Sequence, residues 1–269
     1  MTTLKESLVN VRIVTKKESE FVPKSFDVVG DIAIFNEFPE ELKKKEKKIA
    51  EHLLQKHANI KVVARKSGKY SGKLRTPKIT LLTGEKRKET MHKESGCTFK
   101  LDVEKCYFST RTGTERIRIA KQTKKGESVL VMFSGIGAFP IMIAKKSKVR
   151  DIYGIELNKI AHKYAEKNVV LNKVNNIKLF QGEVKKVLPR IKKKFDRIVM
   201  PLPKTAEAYL ALALKSLKKS GVIHLYLFAQ EKEFREIKEK YKKQFKSIKI
   251  IKAGNYSPHT FRVCLDLKT

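Results

Sequence analysis

From Arg111 onward, runs of strand character alternate with amphipathic helical stretches, and that alternation constrains the fold more than any other feature of the chain. The strand-like runs are "SVLVMF", "VRDIYGIEL", "IKLFQG", "FDRIVMPLP" and "GVIHLYLF". Helical spacing is predicted between them over Pro140–Lys146, Ile160–Leu171, Ala206–Lys218 and Glu231–Gln244. Strands separated by helices imply right-handed crossovers and a mainly parallel sheet. The closing runs "SIKIIKAG" and "FRVCLDLK" read as a hairpin at the sheet edge. Before Arg111 the pattern is different. Short runs "FDVVGDIAIF", "IKVVARK", "ITLLTG" and "CTFKLDV" are broken by charged turns, with one predicted helix over Pro39–Lys56 that aligns Leu42, Ile49, Leu53 and Leu54. The expected organisation is a short N-terminal segment (1–22), a small α+β domain (23–108) and a larger α/β domain (109–269).

The charge balance narrows the partner. Lys plus Arg number 61 against 28 acidic residues, a net charge of +33. Such an excess costs self-repulsion in a compact state unless a polyanion relieves it. Heat-adapted ion-pair networks would need acids in similar number, and here they are outnumbered about two to one. Nucleic acid is the expected partner, bound through salt-sensitive phosphate contacts. The basic surface of the smaller domain would include Arg65, Lys66, Lys69 and Lys73. No run approaches the roughly 20 apolar residues of a membrane span, and Met1–Asn10 lacks the layout of a signal peptide. A cytoplasmic location is expected. Cys97, Cys106 and Cys264 are isolated and form no CxxC pair, which argues against a disulfide framework and a closed zinc site; no metal is expected.

The motif "VLVMFSGIGAFPI" places Gly135 and Gly137 between a predicted strand and a helix, where the backbone can turn tightly and approach a ligand. Glu156 closes the next predicted strand about 20 residues later, the position from which a carboxylate accepts hydrogen bonds from ribose hydroxyls. A dinucleotide site would carry a third glycine where this chain has Pro140, so the unit points to a nucleoside cofactor of another kind. Gly182 and Glu183 follow the third strand; Glu183 is either an adenine-side acid or a helix-start acid favoured by the dipole.

With these residues in view, the chain resembles the archaeal and eukaryotic tRNA (guanine-37, N1) methyltransferase family and its relatives in wyosine biosynthesis. The likeness rests on "SGKLRTPK", "HKESGCTFKLDVEKCYFSTRTGTERIRIA", "MFSGIGAFPI", "DRIVMPLPKTA", "GVIHLYLF" and "NYSPHTFRVCLDL". It implies a class I methyltransferase domain, Rossmann-like with a mainly parallel seven-stranded sheet, preceded by the smaller α+β RNA-binding domain. It implies S-adenosylmethionine as cofactor and the anticodon loop of tRNA, at position 37, as partner, with the enzyme acting as a monomer.

Carried over by position, the resemblance assigns Tyr107, Phe108 and Arg111 in "CYFSTR" to the methionine end of the cofactor. Phe133, Gly135, Ile136, Gly137, Glu156, Leu157, Gly182, Glu183 and Pro201 would complete that site. It assigns Glu115 as general base and Arg75 as the cation beside the guanine oxygen, with Pro201 and Pro203 lining the catalytic pocket. Guanine N1 carries a proton at neutral pH, so a positioned carboxylate must remove it before the lone pair can attack, and a guanidinium would stabilise the charge that grows on O6. The ordinary alternatives are a salt bridge with Arg116 or Arg118 for Glu115, and a phosphate contact for Arg75.

Three departures carry expectations. Pro201-Leu202-Pro203 stands where relatives that make only 1-methylguanosine carry Asn-Leu-Pro, a rigid apolar wall suited to a larger tricyclic base and to additional C7-methylation of 4-demethylwyosine. Val131 stands where the family generally has Asp, which suggests weaker cofactor binding. The short segment 1–22 suggests that tRNA shape is checked less stringently. Two rivals follow: an aminocarboxypropyl transferase using the same cofactor, and a non-catalytic basic RNA-binding protein.

Overall fold

Apolar residues at strand and helix periods must bury one face each, and in this chain they do so around two separate centres. The computed structural model describes residues 3–68, 74 and 76–269. It divides into one unit of residues Met1–Lys93 and Phe99–Thr110 and a second of Glu94–Thr98 and Arg111–Thr269.

The first unit opens with α1 (Leu4–Asn10), whose first turn is closed by a capping box: Thr3 and Glu6 each accept the other's backbone N–H. There follow β1 (Asp27–Val29), β2 (Ile32–Phe35), α2 (Glu46–Lys56), β3 (Val62–Lys66) and β4 (Ile79–Gly84). The sheet order is β1-β2-β3-β4, with β2 and β3 parallel and the outer pairs antiparallel. Ile49 and Leu53 of α2 and Leu42 of the preceding 3-10 turn are buried with Phe35 and Val63, on the face that their spacing predicts. Leu8, Val14 and Val22 join the same core, so residues Leu4–Val22 pack as part of this unit rather than as an appended segment. Two further strands, β5 (Glu89–Glu94) and β6 (Cys97–Asp102), pair as a two-stranded sheet; β5 is not among the expected strands.

The second unit begins with α3 (Gly113–Gln122) and continues β7 (Ser128–Met132), α4 (Ala138–Lys146), β8 (Asp151–Glu156), α5 (Lys159–Leu171), β9 (Ile177–Gln181) and α6 (Val184–Ile191). Then come β10 (Phe195–Met200), α7 (Leu210–Ser216), β11 (Leu217–Gln230), α8 (Phe234–Tyr241), β12 (Ser247–Ser257) and β13 (Thr260–Lys268). The seven strands run in the order β12-β13-β11-β10-β7-β8-β9. Strands β7 to β11 are parallel and β13 runs against both of its neighbours, as expected of a parallel sheet closed by an edge hairpin. All five residues of β7 are buried, as the central strand of a sheet covered on both faces must be.

The sheet order reverses between β7 and β10, and open sheets bind ligands beyond the carboxyl ends of the strands at such a point. One expected helix is shorter than its pattern. Over Ala206–Lys218 a 3-10 turn leads into α7, and Leu217 pairs with Phe195 of β10 instead of ending the helix. Cys97, Cys106 and Cys264 are buried, and none of the three is in a disulfide. Among the described residues, no helix is long and apolar enough to cross a membrane.

Candidate active site

Strand β7 ends at Met132, and the chain leaves it through three residues of positive φ at alternate positions. Phe133 adopts a positive φ of 59°, costly for an aromatic residue, and Gly135 and Gly137 adopt φ of 57° and 84°. Gly137 caps the start of α4, and a Cβ there would come within 3.2 Å of Ile141 and 3.3 Å of Ala165. Gly137 therefore meets both a conformational and a packing requirement, and Gly135 a conformational one. Ser134 N donates to Ile155 O at 2.9 Å and Gly182 N to Glu156 O at 2.8 Å, so the turns after β7, β8 and β9 are tied together.

Glu156 lies at the middle of this arrangement. One carboxylate oxygen accepts Gly135 N–H at 2.7 Å and the other accepts Asn158 N–H at 2.7 Å. Burial pushes its carboxyl above the ordinary value, against the opposing pull of the hydrogen bonds from Asn158 and Gly135. Each oxygen keeps a second lone-pair direction, which is the acceptor capacity that a pair of ribose hydroxyls requires. Asn158 also caps α5, accepting from Ile160 N and Ala161 N, so the acid sits on a fixed turn. The side-chain oxygen of Ser134 is buried without a hydrogen-bond partner beside this turn.

The other expected cofactor residues divide by environment. Ile136 is buried, and its carbonyl accepts from Asn168 Nδ2 at 3.0 Å, while Leu157 is exposed. Glu183 is half-buried at the start of α6 and makes no side-chain cap bond. Pro201 and Pro203 follow β10, half-buried, at the carboxyl edge of the strand next to β7. Phe133 meets Tyr209 edge-on at 5.0 Å, a contact that the sequence reading missed because Tyr209 lies in the irregular 3-10 turn. Tyr107 and Phe108 belong to the first unit, where Phe108 packs edge-on against His92 at 5.2 Å; Tyr107 is exposed. Arg111 belongs to the second unit, at the start of its longer segment, and is exposed. Arg75, with Lys69 and Lys73, lies outside the described residues.

Glu115 is 4% exposed on the inward face of α3. Arg118 donates to both of its oxygens at 2.7 Å, and the Tyr226 hydroxyl donates to Oε1 at 2.6 Å. The salt bridge with Arg118 is therefore present, while Arg116 pairs instead with Glu94. Arg118 also reaches Asp266 at 2.6 and 3.1 Å, and Asp266 Oδ1 contacts His224 Nδ1 at 2.6 Å. Arg197 Nη1 meets His224 Nε2 at 2.6 Å and closes on Glu127 with Nε at 2.8 Å. An arginine only donates, so Nε2 accepts and the His224 proton sits on Nδ1, directed at Asp266. Burial holds His224 below its ordinary value despite Asp266. Burial alone would raise the Asp266 carboxyl, but hydrogen bonds from His224 and Arg118 outweigh it and hold it well below the carboxylate range. Sequence reading located Glu115 but not Tyr226, His224 or Asp266, whose side chains come from β11 and β13.

Residues 90–251 match the model of the TRM5/TYW2 methyltransferase domain, and residues 4–87 that of the TYW2 N-terminal domain. The chain is 38% identical to the tRNA (guanine(37)-N(1))-methyltransferase Trm5b of Pyrococcus abyssi, with 92% of this chain and 76% of that protein covered. It is 36% identical to the tRNA (guanine(37)-N(1))/4-demethylwyosine(37)-methyltransferase Taw22 of Nanoarchaeum equitans, covering 79% of this chain and 86% of that one. Among solved structures, that of aTrm5 in complex with tRNALeu superposes with a TM-score of 0.87 at 30% identity, covering 99% of this chain and 78% of that one. With both of its units matched and its identity to such relatives above the level of chance likeness, this chain belongs to the TRM5/TYW2 methyltransferase family.

Proposed function

We propose that this chain is a cytoplasmic, monomeric tRNA methyltransferase that uses S-adenosylmethionine to methylate N1 of guanosine 37 and, at the same position, C7 of 4-demethylwyosine. The observation that carries the reading is Glu156, fixed at the carboxyl end of β8 by Gly135 and Asn158 beside the point where the strand order reverses. A nucleoside cofactor fits this donor and acceptor set: hydroxyls can reach the remaining lone pairs of Glu156, and the positive φ of Gly135 and Gly137 turns the backbone tightly beside it. When bound, S-adenosylmethionine supplies an electrophilic methyl group.

The chain's own residues do the rest. Glu115 takes the proton from guanine N1, so that the nitrogen lone pair becomes the nucleophile. Arg75 stabilises the charge that develops on O6, the role its motif has in the family. Tyr107, Phe108 and Arg111 hold the methionine end, and Pro201 with Pro203 offers the base a rigid wall. The excess of Lys and Arg binds tRNA phosphates, so affinity falls steeply with salt.

The activities for which the Pyrococcus and Nanoarchaeum relatives are named support N1-methylation and, for the latter, both reactions. The match of residues 4–87 to a domain named for TYW2 favours a second reading, transfer of a 3-amino-3-carboxypropyl group to C7. Nucleoside mass analysis separates them, using unmodified tRNA and tRNA carrying the tricyclic precursor. One added methyl group is expected on either substrate, and a 3-amino-3-carboxypropyl adduct replaces it with the second reading. Pro201→Asn is expected to change the ratio of the two methylations; an unchanged ratio removes Pro201 from base selection.

A further inference from the structure

Strand β11 outruns its neighbour in the sheet. Met200, the last residue of β10, pairs with Leu225, and β11 continues from Tyr226 to Gln230 with β13 alongside it. Because β13 runs against both β11 and β12, β12 also points toward the carboxyl edge, and its turn into β13 lies at the end of the sheet where ligands bind. Phe228 therefore stands about 10 Å beyond the end of β10.

The register of this overhang decides which side chains share a face. Tyr226 pairs with Cys264 and Phe228 with Arg262 without a shift, and alternate residues of a strand point the same way. Phe228 and Arg262 thus lie on the face from which the Tyr226 hydroxyl holds Glu115, about 7 Å further toward the edge. Register shifts between Lys252 and Asn255 and between Asn255 and Ser257 interrupt the pairing of β12, which re-aims the side chains there. Tyr256 reaches across β13, and its ring meets that of Phe228 at 3.9 Å between centroids and 30° between planes. Phe228 covers one face of the Tyr256 ring; the residue is 54% exposed, so the other face is open to a planar partner.

The surrounding charge selects that partner. The one acid of the β12–β13 hairpin, Asp266, is buried against Arg118 and His224, while Lys249, Lys252, His259 and Lys268 are exposed. An open aromatic ring among basic side chains fits an unpaired nucleobase, whose flat face stacks on the ring while its phosphates meet the cations.

We propose that Tyr256, backed by Phe228, is a stacking platform for an unpaired base of the tRNA next to guanosine 37. The inference rests on the function proposed above, since the face shared with Glu115 is what sets the platform beside the reacting base.

The test is a cycle of affinity measurements with the whole protein and S-adenosylhomocysteine, using tRNA with guanosine 37 and two further tRNAs that lack the base on one or the other side of it. Tyr256→Ala should weaken binding of the intact tRNA about tenfold, while Tyr256→Phe, which keeps the ring, binds as the wild type does. One of the two abasic tRNAs should lose the same factor with the wild-type protein and nothing further with Tyr256→Ala. Phe228→Ala, which removes the backing, should give a smaller loss that depends on the same base. Stacking releases no counterion, so the slope of log affinity against log salt stays at the wild-type value in Tyr256→Ala, whereas loss of a phosphate contact lowers it by about one. The affinity of Tyr256→Ala for S-adenosylmethionine, measured by calorimetry, stays at the wild-type value and shows the fold intact.

Additive losses with both abasic tRNAs would mean that the ring touches neither base and would overturn the platform. A loss in Tyr256→Phe as large as that in Tyr256→Ala would overturn it too, because the hydroxyl would then make the contact. Methylation of the intact tRNA by the wild-type protein is followed in parallel. A methyl group on guanosine 37 with no coupling in the cycle removes the platform and leaves the proposed function; coupling with guanosine 37 unmodified removes the function and leaves the platform.

Discussion

The two units use their ion pairs differently. In the first, Arg87–Asp31, Arg65–Glu46 and Lys45–Glu18 lie at the surface or half-buried, with side chains between 18% and 34% exposed. The second has exposed pairs too, such as Lys242–Glu239, but Arg116–Glu94, Arg197–Glu127 and the Glu115 carboxylate bound by Arg118 are far less exposed, down to 3% at Arg116. Pairs near water gain little because solvent screens them and side-chain entropy opposes them. Buried pairs have large opposing terms, so each member depends on its partners being complete. The buried pairs of the second unit thus fix side-chain geometry in a way that the more exposed pairs of the first do not.

The largest expected effect tests that dependence. Arg197→Met leaves His224 and Glu127 without their donor, and a loss of about 3–5 kcal/mol in urea unfolding is expected, read as a lower midpoint at constant slope. A wild-type midpoint would show that the second unit's pairs are as dispensable as surface ones. Glu156→Gln is next. Removing the charge from the acceptor should weaken S-adenosylmethionine binding by about 10- to 100-fold in calorimetry, with tRNA affinity unchanged. Equal losses for both ligands would mean that the turn itself had collapsed.

The dependence on pH has a definite sign. Burial holds His224 below its ordinary 6.5, and the same cause lowers His52 in the first unit, so the unfolded chain binds these protons more readily than the fold does. Stability is therefore fully present above 6.5 and declines as pH falls below it. Asp266, held ionised by His224 and Arg118 against its burial, extends the decline below 3.8. Unfolding midpoints measured from neutral to mildly acidic pH should fall, and His224→Gln should flatten that slope more than His52→Gln, since His52 bonds only to Ser7 at 2.7 Å among the pairs described. The smallest effect belongs to the first unit: Arg65→Gln, breaking its pair with Glu46, should cost no more than about 1 kcal/mol.

How far such features were legible in the chain depends on their range. The alternation after Arg111 yields the parallel strands and the edge hairpin, because apolar period and turn chemistry are properties of neighbouring residues. Helix α3 was not visible: two of its inward positions are Glu115 and Arg116, so the apolar stripe that marks a helix is replaced by charge. Strand β5, "ETMHKE", has a single buried position and no alternation to read. The motif around Gly135 and the acid at Glu156 were legible because a glycine turn and a strand-end carboxylate are local signals.

Local chemistry along the chain was thus enough for the strand and helix series, the sheet class, the polyanion-seeking surface and the cofactor turn. The burial of Glu115, the proton position on His224 and the division of Arg118 between two acids exist only once α3, β11 and β13 meet. Arg118 and Asp266 stand 148 positions apart, and no periodicity relates them. Burial removes the water that would otherwise satisfy these groups, so their partners are selected by packing across the sheet and not by neighbours in sequence.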